Sequence, residues 1–226
     1  DTTWSGAVVL TGNVTVMNGS TLTLSPGTTV DGGDGYWIRV DGTLLASQTD
    51  FFSSQVPLTG GSHGAGLWTG IYIAAKGHAV LDEVTIQNAK TALKVEGQLS
   101  AYKITIEDAY IGVNVFGSAN IESLTAQHID YEVLRNSGNL NLSTGTFTDI
   151  AGGLWSTGMS TVDTVTISQA GTGLRSTSGT LSATGIGFID TTVAIASQQG
   201  ASTTVQSITA NNVALLIDAA DSDDLT

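Results

Sequence analysis

The chain has 226 residues, 7 Lys+Arg against 20 Asp+Glu for a formal net charge of −13, and no cysteine. Zero Cys excludes disulfides, Cys-ligated zinc and thiol catalysis, and the scarcity of cations argues against nucleic acid and anionic membrane surfaces as partners. With 41% hydrophobic and only 12% charged residues, there is enough apolar material for a core and too little charge to keep the chain disordered.

No apolar run reaches the length of a membrane-spanning helix, and no window of a dozen residues carries a helical stripe. Asp, a turn and cap residue, far outnumbers Glu, a helix former. Thr, Val and Ile are abundant, as pleated surfaces require. The class is all-β.

In chain order, residues 8–30 read as short strands broken by turns at Thr11-Gly12-Asn13 and Asn18-Gly19-Ser20. Thr21-Leu22-Thr23-Leu24 alternates cleanly up to the Ser25-Pro26-Gly27 turn. Gly19 to Gly42 is 23 residues and Gly42 to Gly77 is 35. The second interval fits one repeat plus an inserted loop, placed at 54–67. From Gly77 onward the repeat is regular: Gly77, Gly97, Gly117, Gly138, Gly158, Gly179 and Gly200 step by 20 or 21. A polar column keeps the same steps through Asn88, Asp108, His128, Asp149, Gln169 and Asp190 and is continued at Asn211. Between the columns lie apolar–Thr–apolar triplets, Val84-Thr85-Ile86, Ile104-Thr105-Ile106, Leu124-Thr125-Ala126 and Val165-Thr166-Ile167.

A period near 20 with three short alternating runs per repeat describes a coil of three strands, and repeat architectures announce themselves in this way. Leucine is too sparse for a leucine-rich repeat. The expectation is a single-stranded parallel β-helix, a solenoid of about nine or ten turns of 20–23 residues, with Val84 and Ile86 inward and Thr85 outward. Its parts are 1–53 as N-terminal cap and first turns, 54–67 as inserted loop, 68–217 as regular turns and 218–226 as an acidic tail. The glycine column is expected at corners with positive φ. The Asn/Asp/His column is expected at a second corner, where those residues best tolerate the left-handed region.

Three stretches carry a family resemblance: Thr21-Leu-Thr-Leu-Ser-Pro-Gly-Thr-Thr-Val30, Val40-Asp-Gly-Thr-Leu-Leu-Ala46 and Leu67-Trp-Thr-Gly-Ile-Tyr-Ile73. With the later Val-Thr-Ile-x-Asn-Ala turn, they resemble right-handed parallel β-helix repeat proteins of the secreted or cell-surface type, the pectate-lyase-like superfold. The resemblance implies a right-handed coil and a secreted or cell-surface setting. It does not choose a function, because this coil serves polysaccharide-degrading enzymes, phage tailspikes and surface proteins alike. The Asn-Thr-Asp, Asp-Asp, Gly-His-Gly and Arg-Ile-Lys set of polygalacturonase-like enzymes is absent, and no Arg or Lys stands in a recognisable lyase motif. No catalytic residue is assigned.

Three weaker features remain. Asp31-Gly-Gly-Asp34-Gly is a glycine-rich acidic turn of a kind that offers oxygen ligands to calcium, so Asp31 and Asp34 are metal candidates. Tyr36, Trp37 and Trp155 are candidates for stacking on sugar rings. The Thr85 ladder, broken at Gly187, is flanked two residues on by the mixed column Gln87, Glu107, Gln127, Thr148, Ser168, Ile189 and Asn211. That column is too irregular for an ice-binding array. The reading is a non-catalytic extracellular or cell-surface structural and adhesion module, with a carbohydrate-active β-helix protein as the alternative. Polysaccharide or a cell-surface protein is its expected partner. The acidic tail is expected to continue into a longer protein, with a neighbouring domain or oligomer over the C-terminal end.

Overall fold

The computed structural model describes residues 1–54, 66–198, 200–220 and 224–225. It is all-β, a parallel β-solenoid of about ten turns, with no helix among the described residues. Each coil contributes to three faces, and every pairing between neighbouring strands is parallel. Some coils are strand almost throughout: Gln98–Val115, Ser118–Asn136 and Asn139–Ser156 each run across all three faces.

Register follows the sequence period. On the first face Leu99, Ala119, Leu140, Ser160 and Leu181 stack. On the second face the stack is Ile86, Ile106, Ala126, Phe147, Ile167 and Phe188. On the third it is Leu93, Val113, Leu134, Leu154, Leu174 and Ile195. Val84 and Ile86 are buried and Thr85 faces outward, as the alternation requires. A buried Leu, Ile or Phe in such a stack is removed from water by the coils above and below it. At about 25 cal/mol per Å² of apolar surface, these nearest-neighbour contacts sum along the axis to stabilise the solenoid.

The corners obey two different rules, and one of them corrects the expectation. Between the second and third faces Asn88, Asp108, His128, Asp149, Gln169 and Asp190 all have φ between 49° and 59°, as anticipated. The seventh member is Asn212, φ 54°, not Asn211. Ile189 pairs with Asn211 and Thr191 with Val213, so Asn211 takes the strand position; the pairing offset grows from 21 at Ser176–Ser197 to 22 at Gly179–Ala201, so the coil gains its extra residue before this corner is reached. The glycine column behaves otherwise. Gly179 and Gly200 have positive φ, whereas Gly77, Gly97, Gly117, Gly138 and Gly158 do not. Those five are required by close approach of backbone. A Cβ at Gly97 would overlap the carbonyl oxygens of Gly77 and Ala74, and one at Gly117 those of Glu96 and Gly97.

The interior of the third-face corner changes character along the axis. Val95 and Val115 are succeeded by Asn136, Ser156, Ser176 and Ser197, all buried. These polar groups are satisfied internally. The Asn136 amide donates to the Met159 carbonyl and to Ser160 Oγ, both at 2.8 Å, and Ser156 Oγ lies 2.8 Å from Ser160 Oγ. Buried polar side chains are tolerated when bonded in this way.

Most of the inserted loop expected at 54–67 lies outside the described residues, as do His63, Asp221 and Asp223. Thr2–Trp4 pairs with Thr21–Leu24 and forms a rung of the first face. Trp68 is fully buried, 6.3 Å from Phe51 in a stacked arrangement, and its indole donates to the Gln87 carbonyl at 2.8 Å.

Candidate ligand-binding face

The outward column of the third face runs, one residue per coil, through Thr15, Arg39, Tyr72, Lys94, Asn114, Arg135, Trp155, Arg175, Ala196 and Asp218. Four of the chain's seven Lys and Arg therefore stand in one line, at the second, fourth, sixth and eighth coils. Tyr, Asn and Trp fill the gaps. Strands in a sheet lie about 4.8 Å apart, so cations recur at about 9.6 Å.

The two ends of this line differ electrostatically. Arg39 makes a two-toothed contact with Asp41, at 2.8 and 2.7 Å, and this holds the Asp41 carboxyl below its usual range. Lys94 pairs with Glu96 at 2.8 Å. Hydrogen bonds from Lys94 and from the Tyr72 hydroxyl lower the Glu96 carboxyl. Burial, then the bond to Glu96, raises the Tyr72 phenol. Both acids sit two residues after their partner, just past the end of its strand. The corresponding positions after Arg135 and Arg175 are Ser137 and Thr177. Among the described residues neither arginine has a carboxylate within ion-pair distance. Both instead share the ring of Trp155, with guanidinium carbons 4.4 and 5.4 Å from its centroid. The Trp155 indole donates to Thr177 Oγ1 at 3.0 Å.

Beside this pair lies Glu132, only 7% exposed. It stands at the start of the third-face strand, in register with Ile111 and Gly152. The missing side chain at Gly152 leaves the room it uses, since a Cβ there would come within 3.3 Å of the Glu132 side chain. Burial drives its carboxyl up to about 7, and the charges of Arg135 and Arg175 pull against that rise without cancelling it. Among the described residues, the buried side-chain oxygens that lack a hydrogen-bond partner are Glu132 Oε2 and Asn114 Oδ1. Both belong to this face, in adjacent coils. Orphaned polar atoms and a displaced carboxyl pKa mark functional surfaces.

The residues singled out in the sequence are not all brought together. Trp155 is at the centre of this face. Trp37 lies on the same face beside Arg39, five coils away, about 24 Å by strand spacing. It borders a shallow depression with Thr69, Tyr72, Lys90 and Lys94. Tyr36 packs against the edge of the core. Asp31 acts as a turn cap. Its Oδ1 accepts from the amides of Gly33 and Ser54 at 2.9 and 3.2 Å, and its Oδ2 accepts from the Ser54 hydroxyl. Burial opposes its ionisation, but these three donors outweigh burial and hold the carboxyl below its usual range. Asp34 is exposed. No cluster of three or more potential metal-ligating side chains occurs among the described residues.

Asp108 and Asp149, two coils apart, have His128 between them. Its Nδ1 is 3.2 Å from Asp108 and its Nε2 3.7 Å from Asp149. This is a ladder of corner residues. The arginine line and Glu132 were missed in the sequence, although a signal for the first existed: Arg135, Trp155 and Arg175 are each one period of 20 apart. The chain matches no known family model and no curated protein sequence.

Proposed function

We propose that this protein is a rigid, non-catalytic structural and adhesive module of the secreted or cell-surface kind. The observation carrying this reading is the chemistry of its outer surfaces. On the first face the outward residues Ser100, Asn120, Asn141, Thr161 and Ser182 follow one another coil by coil. On the second, Thr85, Thr105, Thr125, Thr146 and Thr166 do the same. These ladders are uncharged and carry hydroxyls and amides, whereas glycoside hydrolysis needs a pair of carboxylates facing the scissile bond. Parallel pairing of every coil with its neighbours gives stiffness, since bending opens backbone hydrogen bonds between coils. The opening motifs that resemble right-handed parallel β-helix repeat proteins support the same setting.

The test is a screen of neutral and acidic polysaccharides for newly formed reducing or unsaturated ends. No product is expected, and release from any of them overturns the reading. The Glu132–Arg135–Trp155–Arg175 group favours one alternative, a carbohydrate-active protein in which Glu132 exchanges a proton and the arginines hold an acidic sugar. Under that reading Glu132→Gln abolishes product release while binding persists.

A further inference from the structure

The coils that space the arginines also space the acids of the neighbouring corner. Asp108, Asp149 and Asp190 belong to the fifth, seventh and ninth coils, and Lys94, Arg135 and Arg175 to the fourth, sixth and eighth. Each set repeats at about 9.6 Å. The acids flank the third face on one side and the cations run along it. Between the two lines lies a stacked pair of tyrosines, Tyr110 and Tyr131, with ring centroids 5.4 Å apart and the residues 43% and 37% exposed.

A two-fold axis perpendicular to the solenoid, placed between the sixth and seventh coils, carries each coil onto the one whose number brings the sum to thirteen. It sets Arg135 against Asp149, Arg175 against Asp108, and Lys94 against Asp190, and brings Tyr110 and Tyr131, in the fifth and sixth coils, over the eighth and seventh coils of the second copy. All three cations meet acids under one operation, and each contact occurs twice, as an isologous interface requires. We infer that the third face binds a second copy of this chain, antiparallel, in a salt-sensitive homodimer held by Arg135 and Arg175 on the corner acids of the partner.

This inference rests on the adhesive reading and gives it a partner. An acidic peptide fits less well. An extended strand presents same-face side chains about 6.8 Å apart, out of step with the cations. A nucleic acid is opposed by the net charge of −13. The area is modest: six coils by about six residues is roughly 29 by 20 Å, or on the order of 1,200 Å² over both copies. That is at the small end of specific interfaces, so the dimer is expected to be concentration-dependent.

Sedimentation of the full chain at low and high salt tests it. A monomer–dimer equilibrium is expected, weakened tenfold or more at high salt. The R135E/R175E variant should be monomeric with an unchanged circular dichroism spectrum. The D108K/D149K variant should also be monomeric, and Gln169 in the same column, with φ 52°, indicates that a long side chain is accepted there. Mixing the two variants restores both sets of contacts with their signs exchanged in one, so a heterodimer should form. A chain that stays monomeric at low salt overturns the inference, as does a dimer indifferent to R135E/R175E, a mixture that fails to associate, or assembly beyond the dimer. None of these outcomes depends on whether the protein releases sugar products.

Discussion

Replacing Glu132 by Gln should stabilise the protein at neutral and alkaline pH and leave it nearly unchanged in acid. The carboxyl is 7% exposed, has an oxygen without a hydrogen-bond partner, and titrates at about 7 in the folded chain against an ordinary 4.5. Between those values the folded state binds the extra proton, so stability falls as pH rises. The penalty is absent below the unfolded value and complete above the folded one. A displacement of about 2.5 units corresponds to about 3 kcal/mol at 1.36 kcal/mol per unit. Glutamine has the same shape and no charge, so the variant escapes this penalty. Urea unfolding of both proteins from about pH 4.5 to about pH 8, in high salt at low protein concentration to remove self-association, reads the difference directly. The gap should grow from near zero to the order of 3 kcal/mol in favour of the variant. A gap that stays flat across this window would refute the placement of Glu132 as a buried, uncompensated carboxyl.

Two further outcomes test the corners. Gly117→Ala puts a methyl against the carbonyl oxygens of Glu96 and Gly97, which belong to backbone and cannot swing aside; a loss of about 1–3 kcal/mol is expected, measured as a lowered urea midpoint. Asp149, at φ 54°, distinguishes conformation from contact. Asp149→Gly should be close to neutral, whereas Asp149→Ala should cost about 1–2 kcal/mol, and equal losses in both would show that the side chain's contacts, not its φ, matter most.

The ladders were legible in the sequence because a solenoid turns sequence period into spatial adjacency. Residues 20 or 21 apart become neighbours, so the Thr85 column, its Gln87 companion and the left-handed corner at Asp108 could be drawn before any coordinates. The triplet Val84-Thr85-Ile86 declared its inward and outward members through alternation alone. Arg135, Trp155 and Arg175 were open to the same reasoning, but a motif-based search does not look for a line that exists only across coils.

Tertiary structure decided what periodicity does not encode. Gly97 and Gly117 look the same in sequence whether a corner needs positive φ or a missing Cβ; only the proximity of carbonyl oxygens from the preceding coil distinguishes the two. The shift from Asn211 to Asn212 depends on where a coil gains its extra residue, here between Ser197 and Ala201. Glu132 reads as an ordinary surface acid, yet the gap above Gly152 and the packing of its strand remove it from water. Period and alternation are properties of the chain, so composition and spacing determined the coil. Burial, carbonyl contact and the free or paired state of a charge depend on where neighbouring coils come to rest, and those were decided only when the coils stacked.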